Sequence, residues 1–454
     1  MQDEKLSLGT ESLIKLLWRY SLPSIVAMTA ASLYNILDSV FIGHGVGHLG
    51  IAALAICFPF MNLTAAFGAM VGVGATTVAS LKMGQQDYKG AESVLGNVVL
   101  LDIMISLSLT VVCLVFLDPI LYFFGASEAT LPYAREYMRI ILAANVINHT
   151  FRGLSDMMRA SGYPQKSMYL TLLSVGINAV LGYLFVLVFN WGIAGAAWAT
   201  VIGQVVSLIY VMVHFMRKSS LLHFKRGMFK FDSKIAKNII SIGLGPFLIN
   251  SFACLIVMLI NTGLKNHGGD LYISAYGILN RTIVFFTMII MGFNQGMQPI
   301  VGYNFGAHKI DRVKQTYKYT LICAISINSI GFVICQFFPD LVIRMFTDYE
   351  ELIGISRHAI RIVSSTLPLI AFQMVSTSFF QSMGYAKKAI FLSTNRQLLF
   401  LIPFLLILPN YYGAEGVWWS IPSADVVAVC VSFVMIMLQF RKFKKAEAAQ
   451  PEQS

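Results

Sequence analysis

The feature that most constrains this chain is a duplication: four local patterns in its first half return in the same order about 222 residues later. Pro23, with Asp38 fifteen residues on, answers to Pro246 with Asn261, at an offset of 223. Gly74 and Gly84 answer to Gly296 and Gly306, and Gly162-Tyr163-x-x-Lys166 to Gly384-Tyr385-x-x-Lys388, both at 222. Gly192-x-x-Gly195-x-x-Trp198 matches Gly413-x-x-Gly416-x-x-Trp419 at 221. Glycine is common, 35 of 454 residues, so one match means little, whereas four in register point to two copies of one fold. Repeats of this length in an apolar chain favour a transporter.

With 57% hydrophobic residues, 12% charged and a mean hydropathy of +0.70, the chain has lipid as its solvent. Apolar runs fall near 18–42, 52–80, 94–118, 133–157, 167–190 and 194–216, and again near 239–263, 273–303, 317–338, 354–382, 391–411 and 415–439. None alternates as a barrel strand does, and backbone groups in hydrocarbon must pair internally, so each run is read as a helix. The fold class is thus an all-α integral membrane protein of about twelve transmembrane helices in two six-helix lobes. The expected division is an N-lobe over 1–216, a basic loop over 217–237, a C-lobe over 238–440 and a tail over 441–454.

Sorted by side, 24 of the 33 Lys and Arg residues collect on one face, which the positive-inside rule makes cytoplasmic, with both termini there. The loops after Gly84 and Gly306 share that face, so each half has an even number of spans and the copies are parallel. The net charge of +11 then reflects topology and attraction to anionic lipid, and nucleic acid is not implied. The N-terminus lacks a basic n-region and a cleavage site, so the first span is expected to be retained. Cys57, Cys113, Cys254, Cys323, Cys335 and Cys430 lie in or beside apolar spans without a CxxC, against disulfides or metal ligation.

Charges inside spans are costly and usually functional. Asp38 stands out, with no basic residue within a helical turn and about 22 Å along the axis from Pro23. It is either a carboxylate that alternates between proton and cation, or one satisfied by Asn35 or a neighbouring hydroxyl. Its counterpart Asn261 is neutral, which makes the lobes chemically unequal. Pro23 removes a backbone bond and permits a bend. Arg152 and Asp156, at i,i+4, are expected to pair. Asp102, Arg281, Arg396 and Asp425 are either bundle pairs or cavity-lining charges. Gly45-x-Gly47-x-x-Gly50 lacks a βαβ context, and His44 and His48 flank glycines, so neither a dinucleotide nor a metal site is read there. Without HExxH, GxSxG or a Walker loop, an enzyme or ATP-driven pump is not expected. The 33 Phe and 22 Met suit an adaptable, promiscuous cavity.

At Met291-Gly-Phe-Asn-Gln-Gly-Met-Gln-Pro-Ile-Val-Gly-Tyr-Asn-Phe-Gly-Ala307, at the Asp38 segment and at Arg159-Ala-Ser-Gly-Tyr-Pro-Gln-Lys166 the chain resembles the multidrug and toxic compound extrusion (MATE) transporters, more closely their DinF-like and MepA-like branch. The resemblance implies two six-helix lobes around a central cavity and export of amphipathic organic cations against inward H⁺ or Na⁺. It makes Asp38 the first-helix carboxylate and Asn178 and Thr200 its polar partners, with Gln295 and Gln298 as secondary candidates beside Asn35, Asn261, Arg281, Asp102 and Asp425. One departure matters: the family's fifth-helix Asn-x-x-x-Asp reads Asn178-Ala-Val-Leu-Gly182, and Cys254 stands where a seventh-helix glutamate is expected. A hard cation wants several oxygen ligands including charge, so H⁺ is favoured over Na⁺. The expectation is a cofactor-free, metal-free multi-pass protein of the cytoplasmic membrane, with small-molecule and lipid partners and no obligate protein partner. One proton on Asp38 exchanged for one monovalent cation would be electroneutral. A lipid-linked precursor flippase of the same superfamily and a Na⁺-coupled exporter are the alternatives.

Overall fold

The computed structural model describes residues 7–448 except residue 226; of residues 7, 33–36 and 448 it describes the backbone alone. The N-lobe contains α1 (Leu13–Gly45), α2 (His48–Gly84), α3 (Tyr88–Val115), the short α4 (Leu117–Phe123), α5 (Leu131–Ala143), α6 (Asn145–Ala160), α7 (Pro164–Gly182) and α8 (Gly192–Met216). The C-lobe repeats the order with α9 (Ser233–Gly268), α10 (Asp270–Gly306), α11 (Ile310–Phe337), α12 (Pro339–Ile343), α13 (Glu350–Ser364), α14 (Leu367–Ser382), α15 (Ala386–Thr394), α16 (Ile402–Tyr412) and α17 (Ala414–Ala448). Wider π turns continue α7 over Tyr183–Val188 and join α15 to α16 over Asn395–Leu401.

Ten helices among the described residues are long and apolar enough to cross a membrane, and α13 with α14, bent by 45°, are together long and apolar enough for an eleventh. The expected twelfth, near 133–157, folds as α5 and α6, the counterparts of that bent pair. Neither helix alone is long enough to cross a membrane, at 13 and 16 residues, and together they carry Arg135, Glu136, Arg139, Arg152, Asp156 and Arg159. The connector between lobes is non-helical from Arg217 to Asp232, and residues 233–237 already belong to α9. Asn97 of α3 holds it, donating to the Lys230 carbonyl at 3.3 Å and accepting from the Asp232 amide at 2.9 Å. Asp232 in turn caps α9 by accepting from the amides of Lys234 and Ile235. Residues 441–448 of the expected tail are the end of α17; the remainder lies outside the described residues.

The duplication reappears in geometry. Gln86 and His308, 222 residues apart, both take left-handed backbone (φ 62° and 57°). Asp118 meets Arg135 in a two-pronged ion pair (2.8 and 2.6 Å), and Asp340 meets Arg357 at 2.7 and 2.8 Å, again at the same offset. The sequence comparison had passed over this fifth repeat.

Where the lobes meet, glycine is required. A Cβ at Gly74 of α2 would lie 2.0 Å from the Ile239 carbonyl oxygen of α9, and one at Gly296 of α10 would overlap Ser21 of α1. Gly84 abuts Tyr303 and Gly306 abuts Leu81, residues that are themselves 222 apart, so the closure is two-fold symmetric. The core follows suit. One buried cluster joins N-lobe residues such as Val71 and Met83 to Ile239, Ile300 and Tyr303. Toward the opposite face each lobe has its own core, around Phe60 and Tyr137 in one and around Ile260 and Trp418 in the other. The lobes therefore share a core at the face of the basic loops and keep separate cores toward the other.

Candidate functional site

The expected carboxylate and its two polar partners come together inside the N-lobe. Asp38 of α1, Asn178 of α7 and Thr200 of α8 are 4%, 2% and 6% exposed. Their helices converge because α7 packs on α8 and α1 packs on α7. Turned so that its oxygen faces Thr200, the Asn178 amide accepts from the Thr200 backbone N–H and hydroxyl, each at 3.1 Å, and donates to Asp38 Oδ1 at 3.3 Å. The Thr200 hydroxyl also lies 3.0 Å from the Ala196 carbonyl, one proton serving both acceptors. The buried Tyr137 phenol is within electrostatic reach of Asp38. A chain of amide and hydroxyl donors thus ends on one carboxylate, and it can hold that group ionised or release it to a proton. Where a second carboxylate would follow Asn178 by one turn, Gly182 faces the ring of Phe41, 3.1 Å from where a Cβ would sit. An aspartate there would displace Phe41.

The other expected residues sit elsewhere. Asn35 has its side chain outside the described residues. Asn261 is half-buried on α9 with no side-chain hydrogen bond among the described residues, and Arg281 is exposed on α10. Pro23 is buried in an unbroken α1. Gln295 and Gln298 lie at the closure between lobes, about 15 Å along α1 from Asp38, since Gln295 reaches Met28 Sδ at 3.6 Å. Gln298 donates to the Val73 carbonyl and the Thr77 hydroxyl, both at 2.8 Å, stitching α10 to α2. Asp425 is paired: Arg396 Nε lies 2.5 Å from Oδ1 and the Thr366 hydroxyl 2.8 Å from Oδ2. Asp102 is fully buried, and neither carboxyl oxygen has a hydrogen-bond partner among the described residues.

One expectation is corrected. Asp156 pairs with Arg159, at 2.7 Å, and not with Arg152. Both spacings share a helix face, but Arg159 gains a further bond by donating to Gln295 Oε1 of the other lobe at 3.0 Å. Arg159 lies next to the end of α6, yet its side chain is only 8% exposed. A signal was available, since Asn145, His149, Arg152, Asp156 and Arg159 follow at helical spacing along one face of α6.

Sequence reasoning also missed the clasp of the chain's start. Asn304 donates to the Leu8 carbonyl (2.9 Å), Lys309 to that of Gly9 (2.9 Å), and Arg312 to those of Leu8 (3.1 Å) and Glu11 (2.6 Å), pinning the approach to α1 onto the C-lobe. Among the described residues no group of three or more His, Cys, Asp or Glu is placed to hold a metal ion.

Comparison with known proteins places this arrangement. The chain is 28% identical to the multidrug export protein MepA of Staphylococcus haemolyticus over 443 residues, 97% of each chain. It is 28% identical to MepA of Staphylococcus aureus (strain MSSA476) over 447 residues, 96% of this chain and 97% of that one. Its fold matches a MATE crystal structure in the bent conformation with a TM-score of 0.93 at 24% identity, covering 98% of this chain and 99% of the other. An outward-facing MATE transporter matches with a TM-score of 0.91, also at 24% identity, over 97% and 99%. The MatE family model matches twice, over residues 23–184 and 246–407, an offset of 223 that repeats the interval between Pro23 and Pro246. Two tandem matches covering most of the chain, on two lobes closed symmetrically at one face, make this protein a member of the MatE family of transporters.

Proposed function

We propose that this protein is a multidrug exporter that exchanges amphipathic organic compounds, cations among them, for inward-moving protons in the cytoplasmic membrane, with the basic loops facing the cytoplasm. The observation that carries the coupling ion is the Asp38–Asn178–Thr200 cluster. Asn178 turns its NH₂ toward Asp38 and its oxygen toward Thr200. Gly182 under Phe41 supplies no second carboxylate. Sodium would need several oxygens facing one point; a proton needs one. The shared core at the basic-loop face, with separate cores opposite it, supports a state closed to the cytoplasm in this reading.

A second reading has one observation in its favour. Arg152 of α6 and Arg281 of α10 are exposed within spans of opposing lobes, and guanidinium groups there suit an anionic headgroup, as a lipid-linked precursor flippase would require.

The test is transport of a fluorescent organic cation in proteoliposomes under ΔpH or ΔNa⁺ imposed separately. ΔpH alone should drive transport, and Asp38→Asn, nearly isosteric, should abolish it while the protein still folds. Transport driven by ΔNa⁺ alone would overturn the proton; uptake of anionic amphiphiles with exclusion of the cation would favour the second reading.

A further inference from the structure

Beyond Asp38, the N-lobe buries a second acid for which nothing above accounts. Asp102 lies midway along α3 with its side chain fully enclosed. Space for it is made by Gly153 of α6, where any Cβ would fall 2.1 Å from Oδ2. A neighbouring acid is housed in the same way: a Cβ at Gly72 of α2 would fall 2.2 Å from Asp156 Oδ2. Two glycines on two helices thus keep open the places of two carboxyl groups. Asp156 has its countercharge in Arg159, whereas both oxygens of Asp102 lack a donor. An ionised carboxylate enclosed in that way would be an uncompensated buried charge, the costliest arrangement a bundle can hold.

The groups able to act on Asp102 can be enumerated. On α6 they are Asp156, Arg159, Arg152 and His149; on α5, Tyr137, Glu136, Arg139 and Arg135, the last tied to Asp118 of α4. The start of α9 brings Lys234 and Lys237, and α2 carries Lys82, His48 and Cys57. Glu92, on α3 itself, is engaged by Lys225 at 2.6 Å. Of these, Asp156, itself an acid, lies close enough to act on the charge of Asp102. Arg159, the partner of Asp156, has a buried Nε donor with no acceptor among the described residues. The cluster therefore contains a spare donor and spare acceptors.

We propose that Asp102 is a second proton-binding residue of the transport cycle, linked to the closure between lobes through Asp156, Arg159 and Gln295. While Asp102 carries its proton, Asp156 alone holds Arg159, which reaches across to Gln295 and helps keep the basic-loop face shut. When the proton leaves, the new charge on Asp102 repels the Asp156 carboxylate, the Asp156–Arg159 pair shifts, and the bond from Arg159 to Gln295 gives way. Protonation then goes with the state seen here, and deprotonation with opening at the basic-loop face. Asp425 cannot play this part, because Arg396 already neutralises it. The inference rests on the proton-coupled reading above and adds a second proton to it.

The test uses the full-length protein in proteoliposomes, with voltage clamped by valinomycin and K⁺ and a monovalent fluorescent cation as substrate. Two protons for one monovalent cation move one net charge, so wild-type transport should respond to voltage, and one pH unit should support a gradient of about 100-fold. Asp102→Asn should reduce this to voltage-independent exchange with a gradient of about tenfold. A wild-type protein indifferent to voltage overturns the proposal whether or not the variant folds, as does a variant that keeps the two-proton response. Transport that ignores ΔpH would instead overturn the underlying reading. The link to closure has its own readout: Ser80→Cys, in a background without the native cysteines, is buried against Gly302 while the lobes are shut. Its labelling by a thiol reagent in detergent, divided at each pH by the rate for the same thiol in denatured protein, should quicken as pH rises with Asp102 present and stay slow in Asp102→Asn. Labelling that keeps its full pH dependence in the variant overturns the link.

Discussion

In the N-lobe, Asp38 takes a hydrogen bond from an uncharged amide and Asp102 takes none; in the C-lobe, Asp425 is held by Arg396 and by the Thr366 hydroxyl. Everything that sets the shape of a lobe is present twice, from the closing glycines to the pairs Asp118–Arg135 and Asp340–Arg357. Duplication supplied two similar frames, and the ion pair that holds the buried Asp425 of the C-lobe has no counterpart at Asp102 among the described residues of the N-lobe. Removing either member of such a pair strands the other charge. The proposal made above thus gives the C-lobe acid a structural part and the N-lobe acids the coupling.

Breaking the Asp425 pair should have the largest effect on stability. Asp425→Ala or Arg396→Ala leaves one charge buried alone, at a cost of roughly 3–5 kcal/mol. The melting temperature in detergent should fall steeply, whereas protein that does fold should keep the wild-type pH profile of transport. Replacing both partners by leucine should recover most of the loss. If Asp425→Asn folds well and flattens the pH profile, the division of labour between lobes is wrong.

A smaller effect tests whether closure is as symmetric as its geometry. Gly74→Ala and Gly296→Ala each push a methyl group into the first helix of the opposite lobe. Each should disfavour the shut state by a similar amount, on the order of 1–3 kcal/mol for an overpacked contact. Thiol labelling at the Ser80 position should then quicken about equally in the two variants. A strong response to one and none to the other would show that closure depends on a single lobe.

The duplication, the helices and the basic connector were legible because apolar length, glycine spacing and loop charge are local properties of a sequence. Asp38 was legible too, as a charge where lipid makes charge expensive. Its partners were not: Asn178 and Thr200 lie 140 and 162 residues further on and came only through the family resemblance. The pairing of Asp156 was misread because i,i+3 and i,i+4 both lie on one face of a helix, and Gln295, on another lobe, decides between them. The isolation of Asp102 depends on three helices packing together, with Gly72 and Gly153 shaping the space, and no spacing within α3 announces it. Arg159 reads as a loop cation until α10 is seen to bury it.

The finest distinction concerns the two exposed ion pairs beyond the ends of α3 and α11. Asp118 and Asp340 are both held below the ordinary carboxylate range, first by the hydrogen bonds from Arg135 and Arg357. A carboxyl group whose folded value is depressed contributes stability that is present above its unfolded value, near 3.9, and is lost as pH falls through the folded value. Both pairs are open to solvent, so the contribution is small. Arg135→Gln and Arg357→Gln should each lower the melting temperature at neutral pH by about 2 °C or less, and by equal amounts. The difference from wild type should shrink as the buffer is taken below about pH 4, where the wild-type pairs are themselves being protonated. Equal shifts would mean that the lobes are interchangeable outside the bundle and unequal only within it. A clear loss from one variant alone would carry the inequality out to the rim, and the coupling lobe would then differ from its partner by more than its buried acids.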